Sequence, residues 1–409
     1  MEVDDRKLKP GRPPVLLLGG LSQVWPLGFA QIPVIVATSD LKNPALASRY
    51  ICGHCLLPSK EASKSAIIAR LLEAGQELSR ITGSRLPIFC GNDDDLALTY
   101  EFHDSLAESY LLFGNDPALG LSLLEKNRFH ALAEERGLPV PQAYACDGDG
   151  ENAVGRAENP VIVKPRSKQM WQQSPVFRTL FQGKGKAKVF RSGRELLAQP
   201  GLISIKDQIV IQDYIPGSDD RIYSFHGLAD DASELIAWFL GRKLRTFPKL
   251  TGESSFIELI KDRELFFTGC EIAKRLGLRG VFKMDFKRDV RDGRLYLLEI
   301  NARFNLWHYL GAANGVNLPR AAYEYMVYGV RRRPSAYATK YKWQHLLLDC
   351  HAYRELHALG EISLWRWVSS LFLARRVQNV FLWKDPVPFI RWAVIYFFER
   401  MQKWRATAL

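Results

Sequence analysis

The sequence predicts a mixed α/β and α+β protein. It has an N-terminal parallel α/β unit, a two-lobed unit of mostly antiparallel sheets, and a helical C-terminal segment. Three observations carry this. Over the first 120 residues, short apolar runs alternate with helix-spaced segments. From Pro160 the pattern changes to strand-like stretches joined by polar loops. After Arg331-Arg332-Arg333-Pro334 the chain becomes helical, basic and rich in Trp. The expected units are therefore 1–120, 121–330 (with a smaller lobe at about 150–215) and 331–409.

Val15 to Leu18, followed by Gly19-Gly20, reads as a buried strand opening into a glycine turn. Pro33 to Ala37 and Leu86 to Cys90 read as further strands, and Ile68, Leu71 and Leu72 mark a helix over Ser65 to Ser79. A helix is expected from Ser122 to Arg136, stopped by Gly137 and Pro139. Beyond it, Val161–Pro165, Gln208–Tyr214, Glu234–Phe239, Val281–Lys287 and Arg294–Asn301 read as strands, with a helix at Arg263–Leu276.

The composition narrows the class. With 409 residues, 47% of them hydrophobic, the chain can build a real core and is no disordered tail. Six cysteines do not make a disulfide framework, so a reducing, cytoplasmic setting is expected. Met1 to Pro14 is charged and lacks the apolar stretch of a leader. The late apolar run Trp392 to Phe398 is far short of the roughly 20 residues that cross a bilayer. The motifs G-x-x-x-x-G-K-[ST] and G-x-S-x-G are absent, which excludes a P-loop and a nucleophile elbow. Cys52-Gly53-His54-Cys55 has no helical pattern behind it, so two buried, unlinked thiols are expected rather than a redox pair.

The chemistry concentrates in Gly280 to Phe304, two alternating segments around Arg291-Asp292-Gly293. In a hairpin with this turn, Asp285 lies opposite Glu299 and Lys283 opposite Asn301. Phe282, Met284, Phe286, Leu298 and Ile300 fill the alternate positions, so one face is apolar and the other charged. Two carboxylates that close repel unless a cation sits between them, and with an amide oxygen they suit Mg²⁺ shared with phosphate; Mn²⁺ is the alternative. Lys164 ends the apolar strand Pro160–Pro165, where a lysine can reach a triphosphate as a point charge. Ile209 to Gly217 is an apolar strand ending in Asp213 and a Pro-Gly turn. Such an end can offer backbone groups to an adenine edge, with Asp213, Asp219 or Asp220 accepting from the amino group or the ribose.

In this order the segments resemble the ATP-grasp superfamily and, within it, its carboxylate–amine ligases. The matching stretches are LEKNRFHALAEERGLPVP, VIVKP, VIQDYIPG, GRKLRTFPKLTGESSFIEL and MDFKRDVRDGRLYLLEINARF. The resemblance covers Leu124 to about Val330 strongly and Val15 to Pro58 loosely. It implies that ATP is clamped between two sheets, that a substrate carboxylate is phosphorylated, and that an amine then attacks. Under it, Lys126 and Lys164 are nucleotide-binding lysines, Gln212, Asp213, Tyr214 and Ile215 the adenine hinge, and Asp220 a ribose neighbour. Asp285, Glu299 and Asn301 are the metal ligands. Arg303 serves the transferred phosphate or the acyl-phosphate, with Lys283 facing the same site. Arg242 and the loop Lys249–Ser255 resemble the segment over the phosphates and the acceptor. The lysine-rich loop Ser167–Lys188 is expected to close as a lid. The hinge and first metal positions carry Asp213 and Asp285 where Glu is usual in the superfamily. Activation of bicarbonate instead of an organic acid, and nucleotide binding without catalysis, are the alternative activities.

The last 79 residues carry 14 Lys+Arg against 5 Asp+Glu, hence +9 of the net +12, and six of the ten Trp. They read first as a helical appendage packed on the rest or on a second copy, next as a peripheral contact with the inner membrane surface. Nucleic acid is not expected, since no recognisable module accompanies the charge.

Overall fold

The computed structural model describes all residues except 9–10, 60, 145–153, 158, 167–186, 251, 332–335, 374 and 408–409. The N-terminal unit holds β1 (Glu2–Val3), β2 (Val15–Leu18), α1 (Leu21–Phe29), β3 (Val34–Thr38), β4 (Gly53–Leu56), α2 (Lys64–Thr82), β5 (Leu86–Cys90), α3 (Asp93–Glu101), α4 (His103–Ala107) and β6 (Tyr110–Leu111). Its sheet runs β1-β4-β3-β2-β5-β6 and is parallel except for β1. Helices cover it, so β2 and β5 are buried throughout and read as unbroken apolar runs rather than alternating ones. Ser63 caps α2 by accepting from the Ala66 N–H, and Gly83 closes it at φ +70°. Cys52 and Cys55 are free and buried at β4, and burial pushes the Cys52 thiol up to about 12.

The helix expected over Ser122–Arg136 is in fact two, α5 (Pro117–Leu124) and α6 (Lys126–Glu135), broken at the extended Glu125. The break lets the Lys126 ammonium donate to the Pro165 carbonyl at 2.6 Å, a tertiary contact that overrides helical propensity. A small sheet follows, built from β7 (Ala143–Tyr144), β8 (Val161–Pro165), β9 (Lys188–Phe190) and β10 (Ile209–Asp213), with α7 (Gly193–Leu197) before β10. Its order is β7-β10-β8-β9, all antiparallel. Val161, Val163, Ile209 and Ile211 pack on one side with Phe190 and Leu196. Alternation sends Lys164 and Gln212 to the other side.

The remaining elements are β11 (Ile222–Ala229), β12 (Leu235–Phe247), β13 (Glu253–Ile260), α8 (Arg263–Leu276), β14 (Gly280–Arg288), β15 (Leu295–Asn301), α9 (His308–Ala313), α10 (Leu318–Tyr328), β16 (Tyr341–Gln344), α11 (Leu346–Ala358), α12 (Leu364–Phe372), β17 (Arg375–Gln378) and α13 (Val387–Thr407). They form a seven-stranded sheet, β15-β14-β11-β12-β13-β16-β17, antiparallel except at β16–β17. One face is core: Phe225, Phe282, Met284 and Phe286 are fully buried, and the Phe225 and Phe282 rings stack at 5.9 Å. The other face presents Ser224, His226, Lys283, Asp285 and Lys287.

The C-terminal residues carry helices, and they also supply two strands of this sheet. Trp343 in β16 is fully buried. Arg245 makes a two-pronged ion pair with Asp349 of α11 at 2.7 and 2.8 Å. Asp385 accepts from the Trp25 indole at 3.0 Å and from the Arg49 N–H at 3.0 Å, which ties the segment to the N-terminal unit. Among the described residues, no helix is long and apolar enough to cross a membrane.

Candidate active site

The β14–β15 hairpin pairs Asp285 with Glu299 and Lys283 with Asn301, as expected, but a bulge between Asp285 and Phe286 sets this register: nearer the turn Phe286 pairs with Leu297 and Lys287 with Tyr296, one residue out of step with the expected turn. Asp285 is buried, accepts from the Ser224 hydroxyl, and takes a 2.6 Å ion pair from Lys283 Nζ. Burial alone would raise its pKa. The charges of Lys283 and Lys243 and the two hydrogen bonds outweigh this, and the carboxyl stays well below the usual carboxylate range. Glu299 is exposed and accepts from the Asn301 amide at 3.0 Å. The Asn301 amide oxygen accepts in turn from Arg303 at 3.2 Å. Arg303 also grips Asp93 at the start of α3 at 2.5 and 3.0 Å, joining the N-terminal unit to the hairpin.

This donor set fits a hard divalent cation. Asp285 and Glu299 offer carboxylate oxygens and Asn301 a carboxamide oxygen. Among the described residues no three His, Cys, Asp or Glu side chains cluster closely enough to hold a metal alone. Two carboxylates and an amide leave coordination positions for phosphate oxygens and water, as Mg²⁺ prefers.

Arg242 stands elsewhere. It pairs across β12 with Tyr223 and so lies on the apolar side of the sheet, in an ion pair with Glu258. The side chain that β12 sends to the Asp285 face is Lys243, whose charge acts on Asp285. The resemblance set Arg242 over the phosphates and the acceptor; here it lies within β12, which runs to Phe247 rather than ending at Phe239, and faces away from Asp285.

The facing wall comes from the small sheet. Lys164 Nζ donates to Gln212 Oε1 at 3.0 Å, and the Gln212 amide meets the His130 ring. Burial, then the neighbouring Lys126, push the Lys164 ammonium down to about 8, while Glu299 pulls it up. Lys287 is likewise pushed down to about 8 by burial and sits 4.6 Å over the Tyr214 ring. Asp213 accepts from the Tyr144 hydroxyl at 2.7 Å. The N–H groups of Asp213 and Tyr214 are already spent on the Gln142 and Pro160 carbonyls, so they are not free to donate to a ligand at this strand end. Asp220 accepts from Ser218 at the strand exit, while the buried Asp219 holds Thr246 and the Leu250 N–H. The Lys249 N–H binds Glu355 at 2.9 Å, anchoring that loop on α11. The expected lid, Ser167–Lys188, falls almost wholly outside the described residues.

Ser224 and His226 were not read from the sequence, because β11 was not recognised as a strand. The alternation in IYSFHGLA was its signal. His226 is fully buried beside Lys283, which keeps its ring neutral.

No family model matches the chain. It is 24% identical over 312 residues to a D-aspartate ligase of Enterococcus faecium, covering 74% of this chain and 72% of that one. The fold is similar to that of the L-amino acid ligase from Bacillus licheniformis (TM-score 0.56, 14% identity, 78% of this chain and 75% of that one). It is also similar to the biotin carboxylase domain of Hydrogenobacter thermophilus 2-oxoglutarate carboxylase, solved with MgADP and bicarbonate (TM-score 0.55, 13% identity, 78% and 70%). Together these comparisons show a sequence likeness to D-aspartate ligase and a fold likeness to ATP-dependent ligases and carboxylases, and the hairpin register and the two facing sheets agree with that likeness.

Proposed function

We propose that this chain uses ATP to phosphorylate a substrate carboxylate on the Asp285 face, and that the acyl-phosphate is then captured by an amine. The observation that carries this is the hairpin register, which sets two carboxylates and an amide oxygen beside Lys283, Lys243 and Arg303. A carboxylate oxygen of the substrate attacks the γ-phosphorus, the bond to the bridging oxygen breaks, and ADP leaves. The amine nitrogen then attacks the acyl carbon, phosphate departs with the C–O bonding pair, and the nitrogen loses a proton. Lys164 and Lys126 draw in the polyphosphate, Lys287 and Tyr214 border the base, and Arg303 orients the carboxylate. The work of these residues is to position and to neutralise charge. Asp285, Glu299 and Asn301 would hold Mg²⁺, or Mn²⁺ through the same oxygens, whose charge lowers the repulsion between carboxylate and γ-phosphate.

A pooled screen of small carboxylates and amines for ADP and phosphate release tests this. Release that requires an acid and rises with an amine is expected. ATP that binds without turnover, whatever acids are supplied, would overturn it in favour of a nucleotide sensor. Turnover with bicarbonate alone would move the activity to carboxylation.

A separate observation favours a peripheral contact with anionic lipid. The outward positions of α13 are Val387, Ile390, Val394, Phe397 and Phe398, each about half exposed or more, at helical spacing. Trp365, Phe372, Leu373 and Trp383 are 79–86% exposed nearby in sequence, within a segment of net charge +9. Flotation of the full chain with phosphatidylglycerol liposomes, weakened by F397E and absent with phosphatidylcholine, is expected. No flotation, with a dimer in sedimentation that F397E dissolves, would assign the stripe to self-association instead.

A further inference from the structure

A second cavity lies at the carboxyl ends of β2, β3 and β5, where open α/β sheets place ligands. Its volume is about 520 Å³, within the range of small-molecule sites. Three parts of the chain that are distant in sequence build it. The N-terminal strand ends give Thr38, Ser39, Asp40 and Asn92, the loop after the hairpin gives Asn305, and the C-terminal strand pair gives Trp343, His345 and Asn379. Asn305 lies two residues past Arg303, and Asn92 and Asp95 flank Arg303's partner Asp93, so the cavity borders the reacting end of the site.

Its charge is the reverse of the chain's. Among its 25 described lining residues none is Lys or Arg, although these make up 56 of 409 in the sequence, while Asp40, Asp95 and Glu253 all line it. His345 adds no charge: burial lowers its pKa, and its Nδ1 accepts from the Leu348 N–H. The first turn of α3 is Asp93-Asp94-Asp95, which cancels the attraction a helix N-terminus has for anions. The indole N–H of Trp343, a lining residue that is fully buried, has no hydrogen-bond partner among the described residues. That nitrogen is closed to solvent, so the polar contacts a ligand can make in the cavity come from its acids, amides and hydroxyls.

Resting on the ligase reading above, we infer that this cavity seats the amine-bearing substrate, that this substrate is cationic and rich in hydroxyl or amide groups rather than phosphorylated or polycarboxylate, and that the C-terminal strand pair completes its site. The two substrates are thereby sorted by charge: the acid to Arg303 and Lys283, the amine to the acidic cavity.

Calorimetric titration without ATP reads this independently of turnover. The probes are pairs of opposite net charge, lysinamide against glutamate and glucosamine against glucosamine 6-phosphate. In each pair that binds, the cationic member is expected to bind at least tenfold tighter. N379R should shrink that preference by tenfold or more, and N379Q should keep it; a ratio is insensitive to a uniform loss of folded protein. Equal affinity within the pairs, tighter binding of the anions, a preference that N379R leaves intact, or no binding by any cationic probe would each overturn the inference. Charge preference without ADP release under any acid would sink the ligase reading and leave the cavity assignment standing.

Discussion

The Asp285 face and the cavity beneath Trp343 border one reaction centre and are opposites. The first is a lattice of paired charges in which Lys283, Lys243, Lys164 and Arg303 surround two carboxylates. The second has acids, amides and hydroxyls and no cation among its described lining residues. A ligase that joins an acid to an amine must hold a nucleotide and a carboxylate without trapping the amine among cations. It must also hold the amine without drawing it onto the phosphates. Placing one environment on the hairpin face and the other at the carboxyl ends of the N-terminal strands does both, with the Arg303–Asp93 ion pair between them.

The contrast can be broken from either side. The largest effect is expected from Glu299→Gln, which removes one of the anionic oxygens: turnover should fall by about 10²–10³, the range for loss of one electrostatic contact to a developing charge. Measured kcat for ADP release checks it. A kcat within twofold of wild type would mean that Glu299 is only an exposed hairpin residue.

Lys243→Ala should lower kcat by about tenfold, because Lys243 shares the Asp285 face. Arg242→Ala, one residue earlier, should leave kcat unchanged and cost at most about 1 kcal/mol of stability, the usual worth of a partly exposed ion pair. Urea melts and initial rates on the two variants give the answer. The reverse pattern would put β12 in the opposite phase.

A pH effect sharpens the comparison further. Lys164 and Lys287 titrate near 8 in the folded chain and at about 10.4 when unfolded. Between these values the unfolded chain binds more protons, so these two lysines make stability rise as pH increases from 8 toward 10. The same deprotonation removes positive charge facing the nucleotide, so ATP affinity should fall over that window. The cavity, which has no lysine among its described lining residues, should keep its cation preference there. ATP binding that is flat from pH 7.5 to 10 would show that neither ammonium faces the phosphates.

Much of this contrast was legible in the sequence, and for local reasons. Asp285, Glu299 and Asn301 sit in a hairpin whose apolar partners Phe282, Met284 and Phe286 fix which face is wet. Lys164 and Gln212 follow from alternation within two strongly apolar strands. What escaped were features set by distant pairing. β16 and β17 are short strands, β16 added to the edge of β13 and β17 to the edge of β16, and no local pattern announces them. The cavity they complete therefore went unseen. Which face Arg242 takes was also not legible locally, because the length of β12 depends on pairing with β13 as far as Phe247. The break at Glu125 likewise goes with a distant contact, Lys126 with Pro165, 39 residues along the chain.

The most direct single measurement is hydroxylamine trapping of the acyl-phosphate, with ATP, Mg²⁺ and the acid found by screening, for the wild type and for Asp285→Asn. Acyl hydroxamate should form with the wild type in step with ADP, and should be reduced by at least a hundredfold in the variant while ATP is still bound. Equal hydroxamate from both proteins would show that Asp285 takes no part in activating the acid. ADP release by the wild type without any hydroxamate would show that no carboxylate is activated at all.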